Sequence, residues 1–380
     1  MSSGWYIHMQ IVNTIQFHLQ HPEVQAPKYV RSRHIEFADS IIDRVKIYLD
    51  TRYWVLFRDV AMGRRSGDDF TVLLEKIRSA VRDKRAICPL SHESFSEVFT
   101  QSDTATLEAT VRLIDELSAG SCLTEQSQRL NTEAYHFFVR KTKGEESVYR
   151  LNQLVWTKVG YVLGYVTPRV PELPAATANA MEKAFFDQMW TVTLHDMFQS
   201  LGSRPEWRRE RDIIDSMNQG KAASQSDFHS FKQLFLIELR GILDTLEPAL
   251  SEIMAEMYKQ ETGDSPSEAD RLNEKSGKIM ANLIYHAFRL NKMQNELPTL
   301  RVHASLHAAL RWDRKRNYKF NDLSDLRHAA MAIPYCDVFL TEEPLRKLVN
   351  KRHLGLTERF PCRSFSNPSE ALARLIELGL

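Results

Sequence analysis

Residues 45–50 have the sequence Val-Lys-Ile-Tyr-Leu-Asp, and residues 337–342 have the sequence Asp-Val-Phe-Leu-Thr-Glu. The first stretch alternates apolar and polar side chains before it ends on a carboxylate, which predicts a strand. The second is a short apolar run bounded by polar residues, which predicts a buried strand. An acid stands at the end of each predicted strand, so the relative position of the two strands decides both the fold and the candidate site.

The segments next to the first strand alternate between the two patterns. Apolar side chains at helical spacing predict helices over residues 35–44 and 69–82. A short apolar run at residues 86–90 predicts a second strand, and Ser91 is a candidate cap for a helix that reaches about Phe99. Alternating strands and helices are typical of a parallel, doubly wound sheet flanked by helices, and we therefore predict an α/β fold.

The strand pattern stops near residue 100. Apolar residues at i, i+3 and i+4 then predict helices over residues 104–117, 125–140, 178–199, 228–259 and 268–295. We predict two halves of one core, separated by a large all-helical insertion. The predicted ranges are 1–100 for the first half with an arm or first short helix at 1–34, 101–298 for the insertion, and 299–380 for the second half.

The alternating pattern returns in the last part of the chain. A helix over residues 322–331 is predicted to break at Ile333–Pro334, before the late strand. Residues 362–366 are predicted to form an edge strand, with helices over 344–349 and 368–378 on either side of it. The sheet is therefore expected to begin near residue 46 and to close near residue 366.

Composition excludes several classes of protein. With 50 basic and 49 acidic residues, the chain of 380 residues has a formal charge of +1, so a uniformly basic nucleic-acid-binding protein is excluded and a local basic patch is not. The four cysteines form no CxxC pair, which argues against a zinc ribbon and a secreted disulfide scaffold. We find no signal-peptide pattern and no apolar run of about 20 residues. The expectation is a cytoplasmic protein without a membrane partner.

Four acidic residues occupy positions that the predicted sheet would bring together. Asp50 ends the first strand, Glu93 follows the second, Asp325 lies in the helix before the late strand, and Glu342 ends that strand. Open parallel sheets bind ligands beyond the carboxyl ends of their strands. Because hard cations such as Mg²⁺ and Mn²⁺ prefer oxygen ligands, these four residues are candidate metal ligands and candidate catalytic residues.

Each acidic position also has an alternative. Glu97 is an alternative for the second acid, and Glu343 for the fourth. The first and third acids have structural interpretations, as a turn cap and as a favourable charge at a helix N-terminus. Asp322 is expected to cap its helix, and His328 to support the site residues or to pack in the core.

Three stretches of the sequence resemble one family. Residues 47–51, Ile-Tyr-Leu-Asp-Thr, resemble the opening strand of a PIN domain, whose first metal-binding Asp is followed by Thr or Ser. Residues 321–330, Asn-Asp-Leu-Ser-Asp-Leu-Arg-His-Ala-Ala, resemble the acidic helix of that family, and residues 337–342 resemble its following strand. The resemblance to the PIN-domain family of metal-dependent nucleases covers both ends of the chain and leaves the central block without a counterpart.

The resemblance implies roles for individual residues. Asp50, Asp325 and Glu342 match the first, third and fourth acidic positions of the family, and Glu93 is our choice for the second. The chain departs from the pattern twice. The fourth acid is Glu instead of the usual Asp, and Arg52 replaces a small polar residue, where it either crowds the site or contacts phosphate.

A basic segment leads directly into the acidic helix. Residues 311–320 have the sequence Arg-Trp-Asp-Arg-Lys-Arg-Asn-Tyr-Lys-Phe, in which basic side chains could neutralise phosphates and aromatic rings could stack on bases. The alternative is a solvated turn with its aromatic side chains in the core. The residues predicted to contact nucleic acid are Arg52, Arg314, Lys315, Arg316 and Lys319.

Two further patterns have structural interpretations. Residues 204–211 form a second basic cluster, which is interleaved with Glu and which we interpret as a solvated helix face. His303 and His307 have the four-residue spacing of metal ligands, but no Cys or Glu pattern accompanies them, so we interpret them as core residues. Neither a Gly-rich phosphate loop nor a GxSxG nucleophile motif is present.

The expected activity is that of a hydrolase, a Mg²⁺- or Mn²⁺-dependent endoribonuclease that hydrolyses phosphodiester bonds, with RNA favoured over DNA. Two alternatives stay open. The PIN-like core could be a non-catalytic scaffold for protein interactions, or the nuclease could be a toxin or phage-defence effector held inactive by a partner. The sequence also permits a homodimer and a regulatory partner protein at the helical insertion.

Overall fold

The computed structural model describes residues 11–144, 148–168, 172–204, 211–223, 228–262 and 275–380. The strands in these ranges are β1 Val45–Leu49, β2 Ala86–Ile87, β3 Ser121–Leu123, β4 Trp156–Lys158, β5 Val338–Leu340 and β6 Arg363–Phe365. The helices are α1 Ile15–Gln20, α2 Ala26–Ser40, α3 Thr51–Ala61, α4 Asp69–Arg82, α5 His92–Val98, α6 Thr104–Ser118, α7 Gln126–Lys143, α8 Ala175–Thr191, α9 Leu194–Leu201, α10 Arg211–Ala223, α11 Phe231–Thr262, α12 Lys275–Arg289, α13 Pro298–Trp312, α14 Asp322–Tyr335, α15 Glu343–Val349, α16 Leu356–Arg359 and α17 Pro368–Glu377.

The first and late strands are direct neighbours in a parallel sheet with the order β2-β1-β5-β6. Ile47 pairs with Val338 and Leu49 with Leu340. Side chains alternate across the sheet, because Ile47 and Leu49 lie in one apolar core and Tyr48 lies in another. Both ends of the chain thus build one parallel sheet with helices on its two faces, and the predicted α/β class is confirmed.

The segment between residues 104 and 311 is not purely helical, contrary to the sequence-based expectation. β3 and β4 form an antiparallel pair, and Cys122 of β3 forms a parallel bridge with Leu90 beyond β2. These strands were missed because they are short and lie between segments whose apolar residues have helical spacing. A left-handed turn at Ala119 (φ 50°) and Gly120 (φ 71°) ends α6 and leads into β3.

Helix α6 packs in the same apolar core as β1, although it lies beyond residue 100. A third apolar core is shared by α7, α11, α12 and α13, and α13 also contributes Val302 and Leu306 to the core around Tyr48. Helix α13 therefore joins the central helices to the sheet. The division into residues 1–100, 101–298 and 299–380 stays a prediction.

Several helices have bounds that differ from the prediction, and two of the differences have a local cause in the sequence. The helix predicted over residues 178–199 is two helices, α8 and α9, because Thr193 begins a new one. The Thr193 hydroxyl accepts from the backbone N–H of Asp196 at 3.1 Å, and the Asp196 carboxylate accepts from the backbone N–H of Thr193 at 2.9 Å. Helix α14 continues through Pro334, so the predicted break at Ile333–Pro334 is wrong. The missing N–H of this proline affects only the last turn.

The described part of the N-terminal segment is docked on α8. Asp187 accepts hydrogen bonds from Thr14 at 2.6 Å and Tyr29 at 2.6 Å, and it lies 2.8 Å from His18 Nε2. The helix predicted over residues 35–44 is Ala26–Ser40. None of the described helices is long and apolar enough to cross a membrane.

Candidate functional site

The candidate site lies at the carboxyl edge of the sheet. Asp50 follows β1, Thr341 and Glu342 follow β5, and α14 carries Asp325 in its first turn. Helix α5, which starts shortly after β2, brings Glu97 to the same edge, where it lies next to α14. The topology therefore brings acids from both ends of the chain into one region.

Asp50 is fixed in place by the backbone on both sides of it. It caps α3, with Oδ1 accepting from the backbone N–H of Tyr53 at 3.1 Å, while Oδ2 accepts from the backbone N–H of Glu342 at 3.1 Å. Its residue surface is 5% exposed. Burial raises the pKa of Asp50 to about 6, although the Thr341 hydroxyl and His328 act in the opposite direction. The capping role is real, and it leaves the carboxylate with lone pairs for a ligand.

Asp325 faces the other acids of the site. Burial raises the pKa of Asp325 to about 7; the charges of Asp50, Glu97 and Asp322 act in the same direction, and His328 opposes them. Its carboxylate makes no hydrogen bond or ion pair with the described residues. Asp325 is therefore a partly buried acid whose pKa is raised further by neighbouring carboxylates.

Glu97, the alternative for the second acid, is the one that the structure places in this group. Its Oε1 accepts from the hydroxyl of Ser324, and its Oε2 lies 3.4 Å from His328 Nε2. Burial alone would raise the pKa of Glu97, but the bonds from His328 and Ser324 lower it to about 2. Glu97 is therefore ionised and held from both sides by residues of α14.

Glu93 lies one turn earlier and faces a different set of side chains. Its Oε1 is 3.9 Å from His92 Nδ1, and its Oε2 is buried without a hydrogen bond in the described chain. Burial would raise the pKa of Glu93, but His92, His328 and Arg129 lower it. The contacts of Glu93 are therefore with His92, whereas it is the charge of Glu97 that raises the pKa of Asp325.

Glu342 and Glu343 diverge although they are neighbours. Glu342 is half exposed at the rim of the site, 3.7 Å from Arg52, and it raises the pKa of Asp50. Glu343 forms ion pairs with Arg346 at 2.6 Å and Lys347 at 3.3 Å, and the Arg346 bond lowers its pKa to about 2. Glu342 thus remains next to the acids, whereas Glu343 is engaged elsewhere.

His328 is an interior cation in this acidic region. Its residue surface is 1% exposed, and its ring nitrogens contact Tyr48 and Glu97. Burial would lower the pKa of His328, but Glu97, with Glu93 and Asp50, raises it to about 9. Of the two roles considered for His328, the contacts favour support of the site residues.

The side chains at this edge are of the type that binds a hard divalent cation, but their positions do not converge on one point. Among the residues that the structure describes, no three His, Cys, Asp or Glu side chains lie close enough together to hold a metal ion. The carboxylates of Asp50, Glu97 and Asp325 are the ligand type that Mg²⁺ and Mn²⁺ prefer. Beside them, the buried hydroxyls of Thr51 and Thr341 make no hydrogen bond of normal geometry in the described chain, although each lies near enough to a carboxylate to lower its pKa.

The basic segment divides into anchored and exposed residues. Arg316 donates to Asp322 Oδ1 at 2.6 Å, and Asp322 Oδ2 accepts from the backbone N–H of Lys319 at 2.8 Å. The side chains of Arg314, Lys315 and Lys319 are exposed. Asp322 therefore holds the segment against α14, and three cations are left to face solvent.

Helix α10 holds the same segment from the other side. The buried Lys221 donates to the backbone oxygens of Leu310 at 2.7 Å and Asp313 at 2.6 Å, and also to that of Arg316. Asn218 exchanges two hydrogen bonds with the backbone of Tyr318, at 2.8 Å and 3.1 Å. The segment thus has a defined conformation beside the acidic helix.

The other predicted clusters do not join the site. His303 and His307 lie 3.1 Å apart through their Nε2 atoms, and burial lowers both pKa values, that of His307 to about 4. Such neutral rings fit the interpretation as core residues. In the second basic cluster, Arg204 donates its backbone N–H to Phe99 O at 2.7 Å, and residues 205–210 lie outside the described ranges.

Sequence reasoning missed Tyr48, which contacts His328, and Ser324, which contacts Glu97. Tyr48 stands two positions before Asp50 in β1, on the same face of the sheet, which is the one signal that could have found it. Ser324 precedes Asp325, and its contact with Glu97 depends on how α5 and α14 pack, which no sequence pattern indicates.

Comparisons with known proteins assign neither a family nor a function to this chain. No family model matches the chain, and comparison with curated proteins and with solved structures finds no match either. The resemblance to PIN domains therefore stays a prediction, and the function has to be argued from the site.

Proposed function

We propose that this protein is a hydrolase of phosphodiester bonds, a Mg²⁺- or Mn²⁺-dependent endoribonuclease with Asp50, Glu97 and Asp325 as its acidic residues. One observation carries the proposal. The carboxylates of Asp50 and Glu97 are near enough to Asp325 to raise its pKa, at the carboxyl edge of a parallel sheet and beside a basic segment with three exposed cations. The resemblance of the strands and the acidic helix to PIN domains supports the same function.

A grouping of buried carboxylates is unfavourable unless something neutralises it. In the absence of a cation, a pKa of about 7 leaves Asp325 about half protonated at neutral pH, and Asp50, with a pKa of about 6, takes up a proton at slightly lower pH. Strongly perturbed acids in one place are typical of functional sites. A divalent cation would replace the protons and neutralise the group, which supports a metal-binding role.

The chain's own residues would position the reactants. Asp50 keeps one orientation because two backbone N–H groups hold it, and Glu97 does so because His328 and Ser324 hold it. A divalent cation bound at these acids supplies charge stabilisation at the phosphate and lowers the pKa of its water. The exposed cations of the basic segment would bind the phosphates of a strand that leads to the acids.

The rim residues have supporting roles in this proposal. Arg52 lies 3.7 Å from Glu342, with about half of each side chain exposed, so it can exchange this pair for a phosphate. Arg316 is bonded to Asp322 and acts through the conformation of the segment. Glu342 would act from the exposed rim beside Arg52, whereas Glu93, which faces His92, is the least supported of the predicted acids.

A non-catalytic scaffold is the second candidate, and one observation favours it. No three acidic or imidazole side chains among the described residues converge closely enough to hold a metal ion. In this alternative, His328 replaces the metal as the counter-charge of Glu97, and the protein would gain no thermal stability from millimolar Mn²⁺.

The direct test uses circular single-stranded RNA and a circular single-stranded DNA of the same sequence, each incubated with Mn²⁺ or Mg²⁺. Circles have no ends, so the appearance of a full-length linear product identifies an endonuclease. We expect linear RNA with either metal, and little linear DNA. Intact circles in all reactions, with no thermal stabilisation by Mn²⁺, would contradict the proposal and favour the scaffold.

A further inference from the structure

A chain of hydrogen bonds crosses the interior from the sheet to Glu97. Tyr48 Oη lies 2.7 Å from Ser91 Oγ and 2.7 Å from His328 Nδ1. On the other side of the ring, His328 Nε2 lies 3.4 Å from Glu97 Oε2. Tyr48 and His328 are 0% and 1% exposed, so these bonds form away from solvent.

The contact with Glu97 determines which nitrogen of the His328 imidazole must carry a hydrogen. An ionised carboxylate can only accept, so Nε2 of His328 carries the hydrogen that points to Glu97. The other nitrogen is held by Tyr48, a residue of β1 whose side chain is buried in the apolar core on the same face of the sheet as α14. The strand thus sets the plane of the imidazole, and the imidazole sets the direction from which Glu97 is bound.

Both oxygens of Glu97 are held by residues of α14. Oε1 accepts from Ser324 and Oε2 from His328, and these two residues lie one turn apart on that helix. An ionised carboxylate offers about four lone-pair positions, so it can accept from several groups at once. Without these partners, a glutamate on the seven-residue helix α5 would turn away from the neighbouring carboxylates.

We propose that His328 is a positioning residue, oriented by Tyr48, that holds the Glu97 carboxylate in place at the acidic site, where it would contribute to binding a divalent cation. The effect on metal binding rests on the proposed function, whereas the position of Glu97 rests on the hydrogen bonds alone. Outer partners of this kind typically change metal affinity by about 10- to 100-fold when they are removed. Ser324, which also belongs to α14, helps to hold Glu97 because its hydroxyl donates to the other carboxylate oxygen.

The test measures Mn²⁺ binding by calorimetry with no substrate present. We expect His328→Leu to weaken binding by about 10- to 100-fold, and His328→Gln, which keeps an N–H donor, to recover most of it. Tyr48→Phe removes only the hydroxyl and is expected to give a smaller loss of the same kind. His307→Leu is the matched control, a buried histidine of α13 with no contact to Glu97, and its affinity should equal that of the wild type.

A crystal structure of His328→Leu, or of Tyr48→Phe if the first variant does not fold, gives a readout that is independent of metal. We expect the Glu97 carboxylate to leave its position against Ser324 in that variant. An unmoved Glu97, or Mn²⁺ affinity within twofold of the wild type for His328→Leu, would overturn the positioning role. Wild-type protein that binds no Mn²⁺ would instead overturn the metal site of the proposed function, while the position of Glu97 still decides the inference.

Discussion

Asp325 holds its carboxyl group where ionisation is unfavourable, since burial raises its pKa from 3.8 to about 7. Between these two pH values the folded protein keeps a proton that the unfolded chain has lost. Rising pH therefore favours unfolding across this window, and stability falls. Each unit of pKa shift corresponds to about 1.4 kcal/mol, so the fall is on the order of 4 kcal/mol, with Asp50 acting in the same direction.

Asp325→Asn removes this titration, and we expect it to be more stable than the wild type at pH 8 in EDTA and about equally stable at pH 4. Urea unfolding at the two pH values measures the difference. Asp103→Asn is the matched control, because Asp103 is an exposed cap of α6 and Asn caps a helix equally well. An Asp325→Asn variant that is no more stable than the wild type at pH 8 would contradict the raised pKa.

The second acidic position can be decided by comparing three glutamates. We expect Glu97→Gln to reduce RNA cleavage by at least about 100-fold, because it removes a charge from the acidic group. Glu93→Gln should have a much smaller effect, since Glu93 faces His92, and Glu343→Gln should have none, since Glu343 pairs with Arg346. Initial cleavage rates at saturating Mn²⁺ give the comparison. Equal losses for Glu93→Gln and Glu97→Gln would show that both acids belong to the site.

At the scale of elements, α10 controls the conformation of the basic segment through Lys221. Lys221→Met leaves three carbonyl oxygens without their donor, and we expect a loss of about 2–4 kcal/mol in the free energy of unfolding. Faster hydrogen exchange at residues 313–319 should accompany it. Lys232→Met, at an exposed lysine of α11, is the control and should change neither quantity. Unchanged exchange in Lys221→Met would show that the segment is held by Asp322 and Asn218 alone.

The exposed part of the basic segment is expected to bind the phosphate backbone. Arg314→Ala combined with Lys315→Ala should weaken binding of single-stranded RNA and reduce the slope of log K against log salt by about 1.4. The matched control combines Lys28→Ala with Arg82→Ala, two exposed cations on α2 and α4. Fluorescence anisotropy with a labelled RNA at several salt concentrations measures both. A slope equal to that of the wild type would place the nucleic acid elsewhere.

Some of the strands and helix caps could be predicted from the sequence, and others could not. β1 and β5 were predicted because a buried strand with a terminal acid leaves a clear pattern, and Ser91 was predicted as the cap of α5, which the bond to Ser94 N–H at 3.1 Å confirms. β3 was missed because it is short and lies between two segments with helical spacing. Glu93 and Glu97 could not be distinguished, since they are one turn apart and only the packing of α5 on α14 separates them.

At the scale of the molecule, the candidate site depends on contacts between distant parts of the chain. Asp50 N–H bonds to Leu340 O at 3.1 Å, and Glu342 N–H bonds to Asp50 Oδ2 at the same distance. The central helices reach this site through α10, which holds the basic segment, and through α13, which packs in two cores. A partner that binds the central helices could therefore change nuclease activity without touching the acids, which keeps a regulatory partner within the proposal.

The most direct test of the account is single-turnover cleavage of a labelled single-stranded RNA by the wild type, Asp325→Asn and Asp103→Asn, each with Mn²⁺ and with EDTA. We predict cleavage by the wild type and Asp103→Asn only when Mn²⁺ is present, and a loss of at least about 100-fold in Asp325→Asn. Circular dichroism establishes that all three are folded. Cleavage that persists in folded Asp325→Asn, or in EDTA, would contradict a metal-dependent nuclease site at these acids.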